Sequence, residues 1–387
     1  MQTLDHLSAT AHAPASSAHA VDFDLYGLVG IRLLDASPRD AAAVERQIGP
    51  LRGRLERPPD ITIRFVDRLP VAGTVRLLGL EEGAFTDDAF LVLRSKHGAR
   101  VRAQIPLAEV GRPCEIVCER GIASVPLLKP IINLAALGRG TLPLHASAFL
   151  YRGVGVITTG WQQGSKTGTL LAFMARGARF VADDWVYLSD GGARMHGIPE
   201  PIHLRDGYLR ALPQYRAAIG ARERVRLDAL RAAQGAVRAV APRSGGGLVG
   251  RALRRAAEEL EGQAAVRVHP QTLFGPGACE VEGTPQVAFL TVSRDAPGVE
   301  VRPADPEEIA QRMVFTLQYE RLNFMAHYRM FQFAFPGASN PVVATAEERE
   351  RDLLRQALAG KRVYVVYHSY PASVEQLYAA MSPLVVQ

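Results

Sequence analysis

Cysteine is nearly absent from this sequence: Cys114, Cys118 and Cys279 are the only three in 387 residues. So small and odd a number excludes a disulfide framework. The pair in "CEIVC" would put both thiols on one side of a strand, but no second pair of ligands accompanies it, so it does not read as a metal site. Long apolar runs are missing too, none approaching the roughly 18 residues that span a bilayer. The opening stretch, "MQTLDHLSATAHAPASSAHA", has no apolar core of the secretory kind, which predicts a loose tail over residues 1–20 and a cytoplasmic protein. Lysine is scarce as well. Lys96, Lys129, Lys166 and Lys361 are four of 45 basic residues, the rest being arginine.

What is present is ordinary globular material, 48% hydrophobic, long enough for two or three cores. The net charge of +6 is mild. Nucleic-acid binders gather such charge into a face or stripe, whereas the densest basic run, "VGRALRRAAEEL", is balanced by acids and reads as a solvated helix. Neither nucleic acid nor membrane is therefore an expected partner. The excess suits steering of an anionic nucleotide. No internal repeat is found.

Residues 21–138 open with short β-branched and aromatic runs between turn residues, which predicts a mostly antiparallel β-rich domain. They close on a helix in "ASVPLLKPIINLAALGRG". From about 139 to 304 the pattern becomes strand, turn, strand, loop, helix, strand. The strands are "LPLHASAFLYRG" and "VGVITTG", the helix is an amphipathic "SKTGTLLAFMARG", and "ARFVADDWVYLSDGG" reads as one strand running into a turn. A further buried strand, "PQVAFLTVS", follows an Arg/Ala-rich helical interval. Residues 305–387 read as a C-terminal extension with a strong helix, "PEEIAQRMVFTLQY", the strand "KRVYVVYHSYP" and the short helix "SVEQLYAAM".

The stretch "GVGVITTGWQQGSKTGTLLAFMARGARFVADDWVYL" carries the chemistry. A phosphate-binding loop needs a strand, a turn of small residues, a lysine for the outer phosphates and a Ser/Thr hydroxyl for Mg²⁺ at the start of a helix. "GWQQGSKT" supplies these in order, with Ser165 where glycine is usual and Trp161, Gln162 and Gln163 inside the loop. Lysine and arginine are not interchangeable there, because a compact ammonium folds back between phosphate oxygens as a planar guanidinium cannot. Downstream, "VADD" ends in adjacent carboxylates, Asp183 and Asp184. A loop for phosphate and a strand that delivers carboxylates suit phosphoryl transfer.

The 45 or so residues from His145 to Leu188, "HASAFLYRGVGVITTGWQQGSKTGTLLAFMARGARFVADDWVYL", resemble the HPr kinase/phosphorylase family of P-loop kinases. His145 opens the first strand, the loop follows a hairpin, Arg176-Gly177 ends the helix and Val181–Asp184 forms the aspartate strand. The resemblance implies an α/β P-loop kinase core of the HPr kinase type. It implies ATP and Mg²⁺ as cofactors, with Asp183, Asp184, His145 and Lys166 as catalytic residues. The nucleotide would be held by Gly160, Gln163, Gly164, Ser165, Lys166, Thr167, Gly168 and Thr169, and the metal by Thr167 and Asp184, to which the reading of "IPEPIHLR" adds Glu200 as a third acidic metal partner. The family's glycine-rich segment that captures HPr has no clear counterpart in "MHGIPEPIHLRDG". The expected acceptor is therefore a hydroxyl, serine above all, of a peptide, another protein or a small molecule. A nucleotide-binding regulatory protein without transfer is the alternative, and self-association is left open.

Several other residues admit two readings. His145 is either functional or a satisfied core histidine. Glu200 and His203 are metal and acceptor contacts or plain connection. Arg205 is a phosphate contact, and Arg243 and Arg267 arginine lids over the nucleotide, or all three are solvated charge. Tyr319, Phe324, Tyr328, Phe331 and Phe333 form core or an acceptor groove.

Overall fold

The computed structural model describes residues 20–79, 82–94, 100–240 and 248–386, so the N-terminal tail and Arg243 lie outside the described residues. Among these residues the first sheet has eight strands, in the order Val21–Leu25, Val29–Leu34, Ile61–Val66, Cys114–Glu119, Arg100–Gln104, Phe90–Arg94, Gly83–Phe85 and Arg76–Leu78. Neighbours are antiparallel except at Ile61–Val66, which runs parallel to both strands beside it. A parallel pair cannot be closed by a hairpin, and the crossover contains a helix, Pro38–Ile48, that strand periodicity passes over. Its signal is local. Ser37 accepts from the Asp40 amide, the Asp40 carboxylate accepts from the Ser37 amide, and a proline occupies the first turn. Cys114 and Cys118 lie buried on one face of their strand as free thiols.

The second sheet has nine strands among the described residues. Its centre is three parallel strands, Val154–Gly160, Pro285–Ser293 and Arg362–His368. Leu142–Tyr151 lies antiparallel to the first of these. The segment read as an extension thus supplies an interior strand, because Arg362–His368 sits between Pro285–Ser293 and Val299–Pro303. Alternation along Pro285–Ser293 shows that both faces are covered. Val287 and Phe289 join one core, and Ala288 and Leu290 the other.

One face carries the helix Lys166–Met174. It was expected to be amphipathic, yet all of its residues but Thr167 are buried. The reason is a second layer: Phe173 stacks on Phe149 of the sheet, with ring centres 4.6 Å apart, and meets Tyr378 of the C-terminal helix Val374–Val385 edge-on at 5.2 Å. The other face packs on the helices Leu128–Gly138, Pro306–Glu320 and Ala346–Leu358, whose core is continuous with that of the first sheet. Asn340 ties the two regions together. It is fully buried, donates to the Leu107 and Val110 carbonyls at 2.8 Å each, and accepts from the Val342 and Val343 amides.

Truncating Phe173 to alanine removes the middle of that three-ring contact behind the loop. The expected loss is about 3–5 kcal/mol of stability, read from a shift in urea midpoint at unchanged slope. A loss below about 1 kcal/mol would show that the helix is held by something other than this aromatic layer.

Candidate functional site

The loop sits at the carboxyl end of Val154–Gly160, beside the parallel strands, which is where open α/β sheets gather ligands. It leaves the strand at Gly160, whose φ of 149° and the approach of Thr291 O to within 2.5 Å of any Cβ demand glycine. It is closed by Gly164 N–H donating to Trp161 O at 3.1 Å. Ser165, at φ 64°, leads into the helix without capping it by its side chain, so the first-turn amides meet no side-chain acceptor. Three braces fix the frame. Ser147 Oγ donates to Lys166 O at 3.0 Å, His368 Nε2 lies 3.2 Å from Gly164 O, and the Tyr208 ring covers Gly168 so closely that a Cβ there would meet it at 2.9 Å.

Lys166 is 8% exposed and folds back into the loop, donating to Gly160 O at 3.2 Å and Trp161 O at 3.0 Å. Burial draws its ammonium below the ordinary lysine range, against the pull of Asp183, Asp184 and Glu320. Thr167 Oγ1 lies 3.1 Å from both oxygens of Asp183.

The expected single strand through "VADDWV" is two strands, Arg179–Ala182 and Trp185–Ser189, each paired with part of Leu142–Tyr151. The chain breaks at the aspartates, where Asp184 has φ 82°, and both side chains face one cavity of about 1300 Å³. Burial and the neighbouring Asp184 charge raise Asp183 to about 7. The surrounding cavity walls push Asp184 the same way, though less than Asp183 because its side chain is 47% exposed, and Lys129 and His145 hold it well below the ordinary carboxylate range. His145 Nε2 is 3.1 Å from Asp184 Oδ1, and its Nδ1 is 2.9 Å from Glu320 Oε1. Burial opposes a charge on His145, yet these two carboxylates raise its pKa overall.

The metal set expected from the sequence, Thr167 with Asp184 and Glu200, is not what the structure groups. Thr167 meets Asp183. Asp184 and Glu200 share the Lys129 ammonium, which lies 3.2 Å from Asp184 Oδ2 and in closer contact with Glu200 Oε2. Among the described residues no three His, Cys, Asp or Glu side chains converge as a preformed metal cluster. His203, Arg205 and Arg267 line the same cavity, Arg205 donating to Tyr370 Oη at 2.9 Å. Phe324, Tyr328 and Phe331 are core, and Phe333 is exposed. Tyr319 instead packs against Trp161 of the loop, with ring centres 4.8 Å apart.

Two site residues escape a reading of local motifs. Lys129 reaches Asp184 from the helix Leu128–Gly138, and its only sequence signal was the rarity of lysine. Glu320, at the end of Pro306–Glu320, accepts from Gln162 of the loop at 2.9 Å as well as meeting His145.

No family model matches the sequence, and no curated protein matches it. Among solved structures, half of this chain aligns with 98% of the chain of the Hpr(Ser) kinase/phosphatase from Coxiella burnetii, at 14% identity and a TM-score of 0.21, which is only a weak similarity. The fold is mixed α/β with several sheets. Among the described residues no helix is long and apolar enough to cross a membrane.

The raised Asp183 carboxyl has a consequence for stability without metal or nucleotide. The folded state keeps a proton that the unfolded chain, with an ordinary Asp near 3.9, releases. Its contribution is therefore full below about pH 4, is lost as pH rises through about 7, and is flat above. Asp183→Asn is expected to raise the melting temperature by a few degrees at pH 8 and to leave it nearly unchanged at pH 4. Equal melting of mutant and wild type at both pH values would show that Asp183 is not buried against its charge.

Proposed function

We propose that the protein is an ATP-dependent kinase built on a P-loop, which transfers the γ-phosphoryl group to a hydroxyl, serine above all, of a peptide, protein or small molecule. The observation that carries this reading is one cavity shared by a glycine-framed loop with a lysine folded into it, an uncapped helix N-terminus, and two aspartates in unlike surroundings. At about 1300 Å³ the cavity exceeds the roughly 300–1,000 Å³ of common small-molecule pockets, which leaves room for a nucleotide and an acceptor together.

The residues fit a nucleotide with its cation. Gly160 and Gly164 keep the loop free of side chains where a Cβ would collide with Thr291 O at the first and crowd Trp161 O at the second, and the first-turn amides of Lys166–Met174 are placed to meet an anion with the helix dipole behind them. Lys166 is poised to exchange its two carbonyl partners for phosphate oxygens. Thr167 and Asp183, already in contact, are the pair that would hold Mg²⁺. When bound, Mg²⁺ neutralises charge on the phosphates.

Asp184 is the base of this scheme. Kept ionised by Lys129 and His145, it takes the acceptor's O–H proton as the acceptor oxygen bonds to phosphorus and the bond to the leaving phosphate oxygen breaks. A carboxylate so weakly basic accepts that proton only late, so orientation contributes more than basicity. Glu320 orients His145, and His145 orients Asp184. His203, Arg205 and Arg267 on the same cavity wall are placed to meet acceptor or phosphate.

Two measurements test the reading. Mg-ATP at about 100 times its dissociation constant is expected to stabilise the protein by about 2.7 kcal/mol, and Lys166→Ala is expected to lose both this stabilisation and ATP-dependent phosphorylation of an acceptor in labelled lysate. Asp184→Asn is expected to keep the nucleotide-induced melting shift while lowering transfer by about 10²-fold or more. A wild type that melts identically with and without millimolar Mg-ATP would contradict the nucleotide assignment. Asp184→Asn transferring at the wild-type rate would contradict the base.

A further inference from the structure

Lys129 occupies an electrostatically awkward place. It is the second residue of the helix Leu128–Gly138, where the helix dipole disfavours a cation, and neither a capping side chain nor an acidic residue lies in the first turn to offset it. Its compensation comes from elsewhere. The ammonium bridges Asp184 Oδ2 and Glu200 Oε2, two residues brought together from different segments. Glu200 is 8% exposed, and its other oxygen, Oε1, is buried with no hydrogen-bond partner among the described residues. Two carboxylates about one cation, one of them with an oxygen left over, is a donor arrangement suited to a hard divalent ion, here satisfied by an ammonium. The support behind Lys129 is also built: Gln47 of the helix Pro38–Ile48 holds both the Val125 amide and carbonyl, at 2.8 and 3.0 Å, just before Lys129's helix begins.

We propose that Lys129 is a resident cation standing where Asp184 and Glu200 would otherwise hold a second divalent ion. The site then takes one ion with its nucleotide, on the Thr167–Asp183 side. The first statement depends only on Lys129, Asp184 and Glu200; the count with nucleotide rests on the function proposed above. The arrangement also gives the first sheet a part in the site, because Lys129 is delivered by the segment that this sheet braces. A fixed ammonium keeps the Asp184 side charged at any metal concentration, and a divalent ion does not.

Manganese titration by calorimetry, with Mn²⁺ counted in parallel by electron paramagnetic resonance, separates the two statements. Without nucleotide, Lys129→Met is expected to gain one Mn²⁺ site that the wild type lacks, Lys129→Arg to gain none, and Lys129→Met/Glu200→Gln to lose the gained site. A cooperatively melting Lys129→Met that gains no ion, or gains one that Glu200→Gln leaves in place, overturns the proposal. If Lys129→Met does not fold, the wild type decides against Glu200→Gln: an ion that the wild type binds and Glu200→Gln loses overturns it, and equal binding by the two supports it. With a non-hydrolysable ATP analogue the wild type is expected to bind one Mn²⁺. Two ions there overturn the single-ion count, whereas none overturns the nucleotide reading and leaves the nucleotide-free arm to judge Lys129.

Discussion

Adjacent residues of a regular strand point to opposite faces of a sheet, so two consecutive carboxylates cannot both enter one cavity unless the strand is broken between them. In this protein the break is at Asp184, whose φ of 82° separates Arg179–Ala182 from Trp185–Ser189. A non-glycine residue at positive φ costs of order 1–3 kcal/mol and persists only where its surroundings over-determine it. Here the surroundings do so: the Asp184 carbonyl accepts from the Ala146 amide at 3.2 Å while its carboxylate is held by His145 and Lys129. The rest of the site follows from having two like charges side by side.

Like charges at contact distance separate in pKa according to their neighbours. Asp183, given only the Thr167 hydroxyl, rises to about 7. Asp184, given an imidazole and an ammonium, falls well below the ordinary range. The same principle extends outward through His145 to Glu320 and through Lys129 to Glu200, so Asp184, Glu200 and Glu320 each meet a basic group from another part of the chain. Lys166 has no such partner. It is buried against carbonyls with no carboxylate among the described residues in hydrogen-bond contact, a costly placement for a cation. A cation kept at such cost, in a loop framed by glycine, is the strongest local argument for an anionic ligand.

Local order was legible where the chemistry is local. The strand, loop and helix from Val154 to Met174 follow from the spacing of small residues and the lysine, and the carboxylate pair follows from "VADD". What escaped depends on layers and on distance along the chain. The loop helix carries polar residues at its start yet is buried on nearly all sides, because a C-terminal helix covers the face that its own pattern leaves open. Lys129 lies 55 positions from Asp184, and Glu320 lies 158 from Gln162; no local periodicity reports such pairs. The helix Pro38–Ile48 is a different case, since its Ser37–Asp40 capping box was readable and only the alternation of the flanking strands obscured it.

The central claim is that the loop from Gly160 to Thr167 cradles phosphates, and a crystal structure with Mg²⁺ and a non-hydrolysable ATP analogue tests it most directly. The account predicts that the β- and γ-phosphates lie against the first-turn amides of Lys166–Met174, that Lys166 Nζ has left Gly160 O and Trp161 O for phosphate oxygens, and that the ion is held by Thr167 with Asp183. Phosphates bound elsewhere in the cavity, with Lys166 still on its two carbonyls, would contradict it.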